Sequence, residues 1–130
     1  MREEKQEYTA LFNACYTDNF EKVKEILDDF PNIDLNTPLL PSTSRRNGTA
    51  LIYTGDTRIG KLLIEKGALI NYIYENNLYS FTALDSAENT LKKMNDSDDK
   101  KIMLDKYIKF LKDNGAKTYE ELLKKEKENE

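Results

Sequence analysis

One pattern of apolar residues recurs three times along the chain and constrains its fold more than any other feature. Each copy has the i, i+3, i+4 spacing of one helix face, and the first and third copies continue to i+7. The copies are Val23-Ile26-Leu27-Phe30, Ile59-Leu62-Leu63 and Leu104-Tyr107-Ile108-Leu111. This recurrence predicts helices that each bury one face against a neighbour, in a unit repeated along the chain.

Each of these segments is followed by a residue that can end a helix. Gly67 and Gly115 follow the second and third segments, and Asn32 takes the corresponding place after the first. Glycine, and next best asparagine, adopts the left-handed backbone conformation that terminates many helices. Asn36 and Asn71 come shortly after the first two stops. The shared endings indicate copies of one structural unit.

A further helix is predicted before each segment, beginning at a Thr-Ala-Leu triplet. The three triplets are residues 9–11, 49–51 and 82–84. Asp18 lies between the first two helices and is expected to cap the second, with Glu21 as its partner in a capping box. The second copy is shortened between Thr49 and Gly55, so its first helix is expected to lose nearly a turn.

These motifs resemble the ankyrin repeat, which has a Thr-Pro-Leu opening, an inner helix, a turn, an outer helix and a closing Gly-Ala-Asp-x-Asn. Residues 67–71, Gly-Ala-Leu-Ile-Asn, are similar to that closing, and residues 32–36 are a degraded copy. Alanine replaces the proline of each opening, and Phe12, Ile52 and Asp85 replace the histidine of the family. The resemblance implies an all-α fold, an ankyrin-like helix-pair solenoid of about three repeats with inter-repeat hairpin loops.

On this resemblance the whole chain, residues 1–130, is expected to be a single domain. Its parts are expected at about residues 8–36, 48–71 and 81–117 for the repeats and 118–130 for a C-terminal capping helix. Thr118 and Glu121 have the spacing of a capping box at the start of that last helix. Residues 37–47 and 89–103 are expected to be insertions, the second of which separates the helices of the third repeat.

The charge and residue types of the chain limit its functions. It has 24 acidic and 20 basic residues and a net charge of −4, which disfavours a nucleic-acid partner because phosphate backbones are negative. It has no histidine, the usual general base and a common metal ligand. We therefore expect no enzyme activity, no metal and no cofactor. Cys15, the single cysteine, is expected to be an inert, packed thiol.

Hydropathy predicts no membrane association. No apolar run approaches the roughly 20 residues that a membrane-spanning helix needs. The first seven residues also lack the apolar core of a signal peptide. The expected location is therefore the cytoplasm, and the free protein is expected to be a monomer.

Residues 55–61, Gly-Asp-Thr-Arg-Ile-Gly-Lys, fit the pattern of a phosphate-binding loop. The apolar residues 50–53 before the loop and 62–64 after it suit an arrangement of strand, loop and helix. Leu62, however, stands where such loops have the Ser or Thr that binds Mg²⁺. A nucleotide-binding protein or enzyme that uses Gly55 to Lys61 is the alternative to an interaction module.

Protein binding is the function that the resemblance implies, through the inner helices and hairpin tips. Tyrosine is an efficient interface residue, and eight tyrosines occur in the chain. The predicted protein-binding residues are Tyr16, Arg45, Arg46, Tyr53, Tyr72, Tyr74, Asn76, Asn77 and Tyr79. The two arginines suit the steering of an acidic partner and solvated loop charges equally well.

The acidic balance of the whole chain suits a partner protein with a basic surface. An inhibitor or immunity protein that neutralises a basic toxin or enzyme has these properties, and so do many adaptors.

Overall fold

The computed structural model of this protein describes residues 6–37, 49–75, 80–95 and 99–128. These ranges contain the helices α1 (Gln6–Tyr16), α2 (Phe20–Asp29), α3 (Ala50–Tyr53), α4 (Thr57–Glu65), α5 (Ala83–Lys92), α6 (Asp99–Asp113) and α7 (Tyr119–Glu128), and the strands β1 (Tyr74–Glu75) and β2 (Ser80–Phe81). The described chain is mostly helical, as the all-α prediction requires. Within the same ranges, every helix is too short or too polar to cross a lipid bilayer.

The chain forms two compact units, Met1–Ala68 and Leu69–Glu130. In the first unit two helix pairs pack together, because α1 contacts both α2 and α3, and α4 contacts both α2 and α3. The predicted apolar faces account for much of this packing. Their buried members are Val23, Ile26, Leu27, Ile59 and Leu63, while Leu62 is half-buried. Each buried aliphatic side chain contributes about 1.5–3 kcal/mol through removal of its surface from water.

The end of α2 differs from the sequence prediction. The helix stops at Asp29, where the N–H of Phe30 still donates to the carbonyl of Ile26 at 2.9 Å. Phe30 therefore leaves the apolar face and is 44% exposed, so its predicted burial is wrong. Asn32 is not a left-handed stop, since among the described residues other than glycine only Asp18 has a positive φ.

The turn between α1 and α2 also corrects a prediction, because Asp18 does not cap α2. Asn19 is the cap, and its side chain accepts a hydrogen bond from the N–H of Lys22 at 3.2 Å. Asp18 instead has a left-handed backbone with φ of 54°. Its Oδ1 accepts hydrogen bonds from the hydroxyl of Thr54 at 2.8 Å and the N–H of Gly55 at 3.0 Å. The expected capping box with Glu21 is replaced by a link between the α1–α2 turn and the α3–α4 turn.

Two of the three Thr-Ala-Leu triplets begin helices as predicted. Thr49 and Thr82 occupy the N-cap positions of α3 and α5, and the Thr82 side chain accepts the N–H of Asp85. Thr9, in contrast, lies inside α1, which begins at Gln6. The second copy has the expected short first helix, since α3 has only 4 residues.

In the second unit a β-hairpin leads into α5, which packs against β2 and α6. The strands are antiparallel, and Tyr74 lies opposite Phe81. The predicted face of α6 is buried at all four positions, Leu104, Tyr107, Ile108 and Leu111. The predicted insertion at residues 89–103 is largely helical, because α5 continues to Lys92 and α6 begins at Asp99. The other predicted insertion comprises residues 37–47, of which residues 38–47 lie outside the described residues.

The capping box predicted for the last helix is confirmed. The Thr118 N–H donates to Oε1 of Glu121 at 2.9 Å, and the Glu121 N–H donates to the Thr118 hydroxyl oxygen at 3.2 Å. The next residue connects α7 to α5, because Oδ2 of Asp85 accepts the N–H of Tyr119 at 2.8 Å. The same Oδ2 accepts the N–H of Thr82 at 2.9 Å. One carboxylate therefore caps α5 and positions α7.

Glycine ends two of the helices, as predicted. Gly67 and Gly115 have φ values of 108° and 89°, which side chains other than glycine rarely adopt. The carbonyl of Gly67 accepts a hydrogen bond from the side-chain amide of Asn36, and the carbonyl of Gly115 accepts one from Asn71, both at 3.1 Å. An asparagine that precedes a helix pair is thus bonded to the glycine that ends that pair.

Candidate protein-binding surface

Four of the predicted binding residues lie in the described ranges. Tyr16 and Tyr53 belong to the first unit, and Tyr72 and Tyr74 belong to the second. The remaining five lie outside the described residues: Arg45, Arg46, Asn76, Asn77 and Tyr79.

Phe12 brings Tyr16 and Tyr53 together in the first unit. Phe12 and Tyr16 are four residues apart on α1, so they lie on one helix face, and their rings stack with centroids 5.6 Å apart. Tyr53, at the end of α3, approaches Phe12 edge to face at 4.7 Å and an interplanar angle of 87°. These three side chains are called the aromatic cluster below. Each such ring pair contributes about 0.5–1.5 kcal/mol beyond its buried area.

Tyr16 combines support on one side with exposure on the other. It is 57% exposed, whereas Leu11, Ala14 and Cys15 of the same helix are buried. Because Tyr16 stacks on Phe12 and sits on a packed helix, its ring needs little further ordering to meet a partner. Low ordering cost is one reason that tyrosine is effective at protein interfaces.

Sequence reasoning did not include Phe12 among the binding residues. It identified Phe12 only as a replacement for the histidine of the ankyrin family. The four-residue spacing of Phe12 and Tyr16 is enough to predict the contact between their rings. The contact with Tyr53 depends on how α1 packs against α3, which no local pattern encodes.

In the second unit, Tyr74 and Phe81 form a cross-strand pair with ring centroids 5.4 Å apart. Both side chains are half-buried. Pairs of this kind stabilise a hairpin by about 0.2–1 kcal/mol. Tyr72 is also half-buried, and its N–H donates to the carbonyl of Leu69 at 3.2 Å. The ring pair with Phe81 therefore gives Tyr74 a structural role in the hairpin.

The segment that resembles a phosphate-binding loop begins a helix but does not follow a strand. Residues 50–53 form α3. The N–H of Gly55 donates to Asp18, and the N–H of Arg58 donates to Oδ1 of Asp56 at 2.8 Å. Two backbone donors of the segment are therefore bonded to carboxylates of the chain, and carboxylates repel phosphate.

The charge state of Asp56 strengthens this conclusion. Burial would raise the pKa of Asp56, but the hydrogen bonds and positive charge of Arg58 outweigh it, so the pKa lies below the usual 3.8. The guanidinium of Arg58 also binds this carboxylate, with Nη2 at 3.0 Å from Oδ2. At neutral pH Asp56 is therefore ionised, and its carboxylate, paired with the guanidinium of Arg58, remains the acceptor of the Arg58 N–H.

Cys15 has the environment expected of an inert thiol. It is fully buried, and burial, with the nearby charge of Asp18, raises its pKa to about 12. The reactive thiolate is therefore scarce at neutral pH. Within the described ranges, no three His, Cys, Asp or Glu side chains are grouped so as to hold a metal ion.

Comparison with protein-family models, curated proteins and solved structures finds no match to this chain. The aromatic cluster is the surface group that the described ring contacts define best.

Proposed function

We propose that this chain is a protein-interaction module, built as a solenoid of degenerate ankyrin-like repeats, that binds and neutralises a partner protein. The repeated sequence pattern supports the ankyrin type. So do the two equivalent hydrogen bonds, Asn36 to Gly67 and Asn71 to Gly115, each of which joins the start of a helix pair to its end.

The observation that carries the binding proposal is the exposure of Tyr16. A tyrosine that is 57% exposed yet stacked on Phe12 presents a large amphipathic ring at small entropic cost. Hot spots of protein interfaces are enriched in such residues. Phe12 stacks on this ring and Tyr53 packs against Phe12, so the aromatic cluster is the proposed anchor.

The net charge of the chain suggests the kind of partner. A charge of −4 favours encounter with a basic surface and raises the association rate more than the final affinity. Exposed aromatic faces also attract arginine and lysine side chains of a partner. An inhibitor or immunity protein that covers a basic toxin or enzyme has this chemistry.

The test is affinity capture from a lysate of the native host, followed by binding measurements with the purified partner. Tyr16→Ala is expected to weaken binding about thirty-fold or more, because truncation of a hot spot costs about 2 kcal/mol or more. The matched control is Ile102→Ala, which truncates a side chain that is 66% exposed on α6 and outside the aromatic cluster.

Equal binding by Tyr16→Ala and the unaltered chain would contradict the proposed anchor. Capture of a partner whose surface is acidic would contradict the proposed role of charge. Circular dichroism of both variants checks that the helices are retained, so a loss of binding is not a loss of fold.

A further inference from the structure

A cleft of about 300 Å³ lies between the start of α1 and the end of α2 in the first unit. Its walls include Glu7 and Tyr8 of α1, Asp29 at the end of α2, and Phe30 and Ile33 in the segment that follows. This volume is at the lower end of the roughly 300–1,000 Å³ typical of ligand pockets, so it suits one side chain. We propose that the cleft binds an arginine side chain of a partner polypeptide.

The charges of the cleft favour a cation. Of the residues that the structure describes in its lining, the charged ones are Glu7 and Asp29, and both are carboxylates. The C-terminal end of α2 adds partial negative charge from its last carbonyl groups. The last turn of α2 contains no basic residue that would neutralise them.

The apolar part of the cleft favours arginine over lysine. Phe30 is 44% exposed because α2 ends before it. The hydroxyl of Tyr8 accepts the N–H of Asp34 at 3.0 Å, which holds this ring against the loop after α2. A guanidinium group can lie flat on an aromatic ring while its edge donates to carboxylates. The ammonium group of lysine is compact and strongly hydrated and has no flat face.

The cleft and the aromatic cluster share no residue, so this inference goes beyond the proposed function and can fail separately from it. Loss of partner binding in Tyr16→Ala tests the cluster. Binding of a small arginine compound tests the cleft and needs no knowledge of the partner.

The experiment is a titration of the ¹⁵N-labelled chain with N-acetyl-arginine amide, followed by NMR. N-acetyl-citrulline amide, which has nearly the same shape but no charge, is the comparator, and N-acetyl-lysine amide is the second one. The arginine compound is expected to shift the amide signals of Glu7, Tyr8, Phe30 and Ile33. The lysine compound should shift them less, and the citrulline compound should leave them unchanged.

The double variant Glu7→Gln with Asp29→Asn should weaken arginine binding about five- to ten-fold, since both ion pairs are lost and each exposed ion pair is weak. The control, Glu65→Gln with Asp113→Asn, removes the same charge at exposed positions outside the cleft. Equal shifts with arginine and citrulline, equal or larger shifts with lysine, no shift with arginine, or equal weakening in both double variants would overturn the proposal.

Discussion

The side-chain amide of Asn71 donates a hydrogen bond to the carbonyl oxygen of Gly115, 3.1 Å away and 44 residues later in the chain. Oδ1 of the same side chain accepts the N–H of Lys117 at 2.7 Å. Asn71 thus binds the residues on both sides of Ala116. One of them, Gly115, is the residue with positive φ that ends α6. Both hydrogen-bonding groups of one amide are used to join the beginning of a helix pair to its end.

Asn71→Ala removes both of these hydrogen bonds. We expect the free energy of unfolding to fall by about 1–3 kcal/mol, because each of the two hydrogen bonds contributes about 0.5–1.5 kcal/mol. Urea unfolding measures this as a lower midpoint with an unchanged slope. Asn95→Ala, at an exposed asparagine after α5, is the control and should change stability little. Equal losses in the two variants would contradict a specific role for Asn71.

Asp18→Ala is expected to destabilise the first unit more strongly. It removes the acceptor for Thr54 and Gly55, and it leaves alanine in a left-handed conformation that costs about 1 kcal/mol or more. The sum predicts a loss of about 2–4 kcal/mol in urea unfolding.

Asp18→Asn is the matched control for that variant. Asparagine tolerates the left-handed conformation, and its side-chain oxygen still accepts both hydrogen bonds. We expect it to retain most of the stability that alanine loses. A loss as large as that of Asp18→Ala would show that the negative charge, and not the hydrogen bonding, is the main contribution.

The thiol of Cys15 is expected to be unreactive in the folded protein. Its pKa of about 12 leaves little thiolate at pH 8, and the side chain is fully buried. A disulfide reagent such as DTNB should therefore label the native chain slowly and the urea-unfolded chain at once. Rapid labelling at pH 8 without urea would contradict the described burial.

The raised pKa of Cys15 also predicts how the stability of the protein changes at alkaline pH. Since its pKa is raised on folding from 9.0 to about 12, the neutral thiol contributes stability that is fully present below pH 9. That contribution falls between pH 9 and 12, by up to about 1.4 kcal/mol per pH unit. The unfolding free energy of Cys15→Ala should be less sensitive to pH in this window. Parallel curves for the two proteins would contradict this prediction.

The phosphate-loop alternative predicts binding of Mg-ATP that depends on Lys61. We expect no micromolar binding, because the carboxylates of Asp56 and Asp18 already occupy backbone donors of the segment. Isothermal titration calorimetry on the unaltered chain and on Lys61→Ala decides the question. Mg²⁺-dependent binding that is lost on substitution would favour the nucleotide-binding alternative over the interaction module.

The features predicted well from the sequence are those set by neighbouring residues. The face of α6 is buried at every predicted position, and the capping box of Thr118 and Glu121 forms as its spacing requires. Phe30 is exposed instead of buried, because α2 ends one residue earlier than the apolar periodicity predicts. The aromatic cluster was found only in part, since the contact of Phe12 with Tyr53 crosses between two helices.

The sequence by itself determined the apolar faces of the helices and the helix ends at Gly67 and Gly115. Both follow from local physics, namely the 3.6-residue helical period and the freedom of glycine to adopt positive φ. Only the tertiary structure decided the role of Asp18, because the hydroxyl of Thr54 lies 36 residues away in the chain. A carboxylate at a turn can cap its own helix or bind a neighbouring turn, and the choice depends on which donors the packed helices bring within reach.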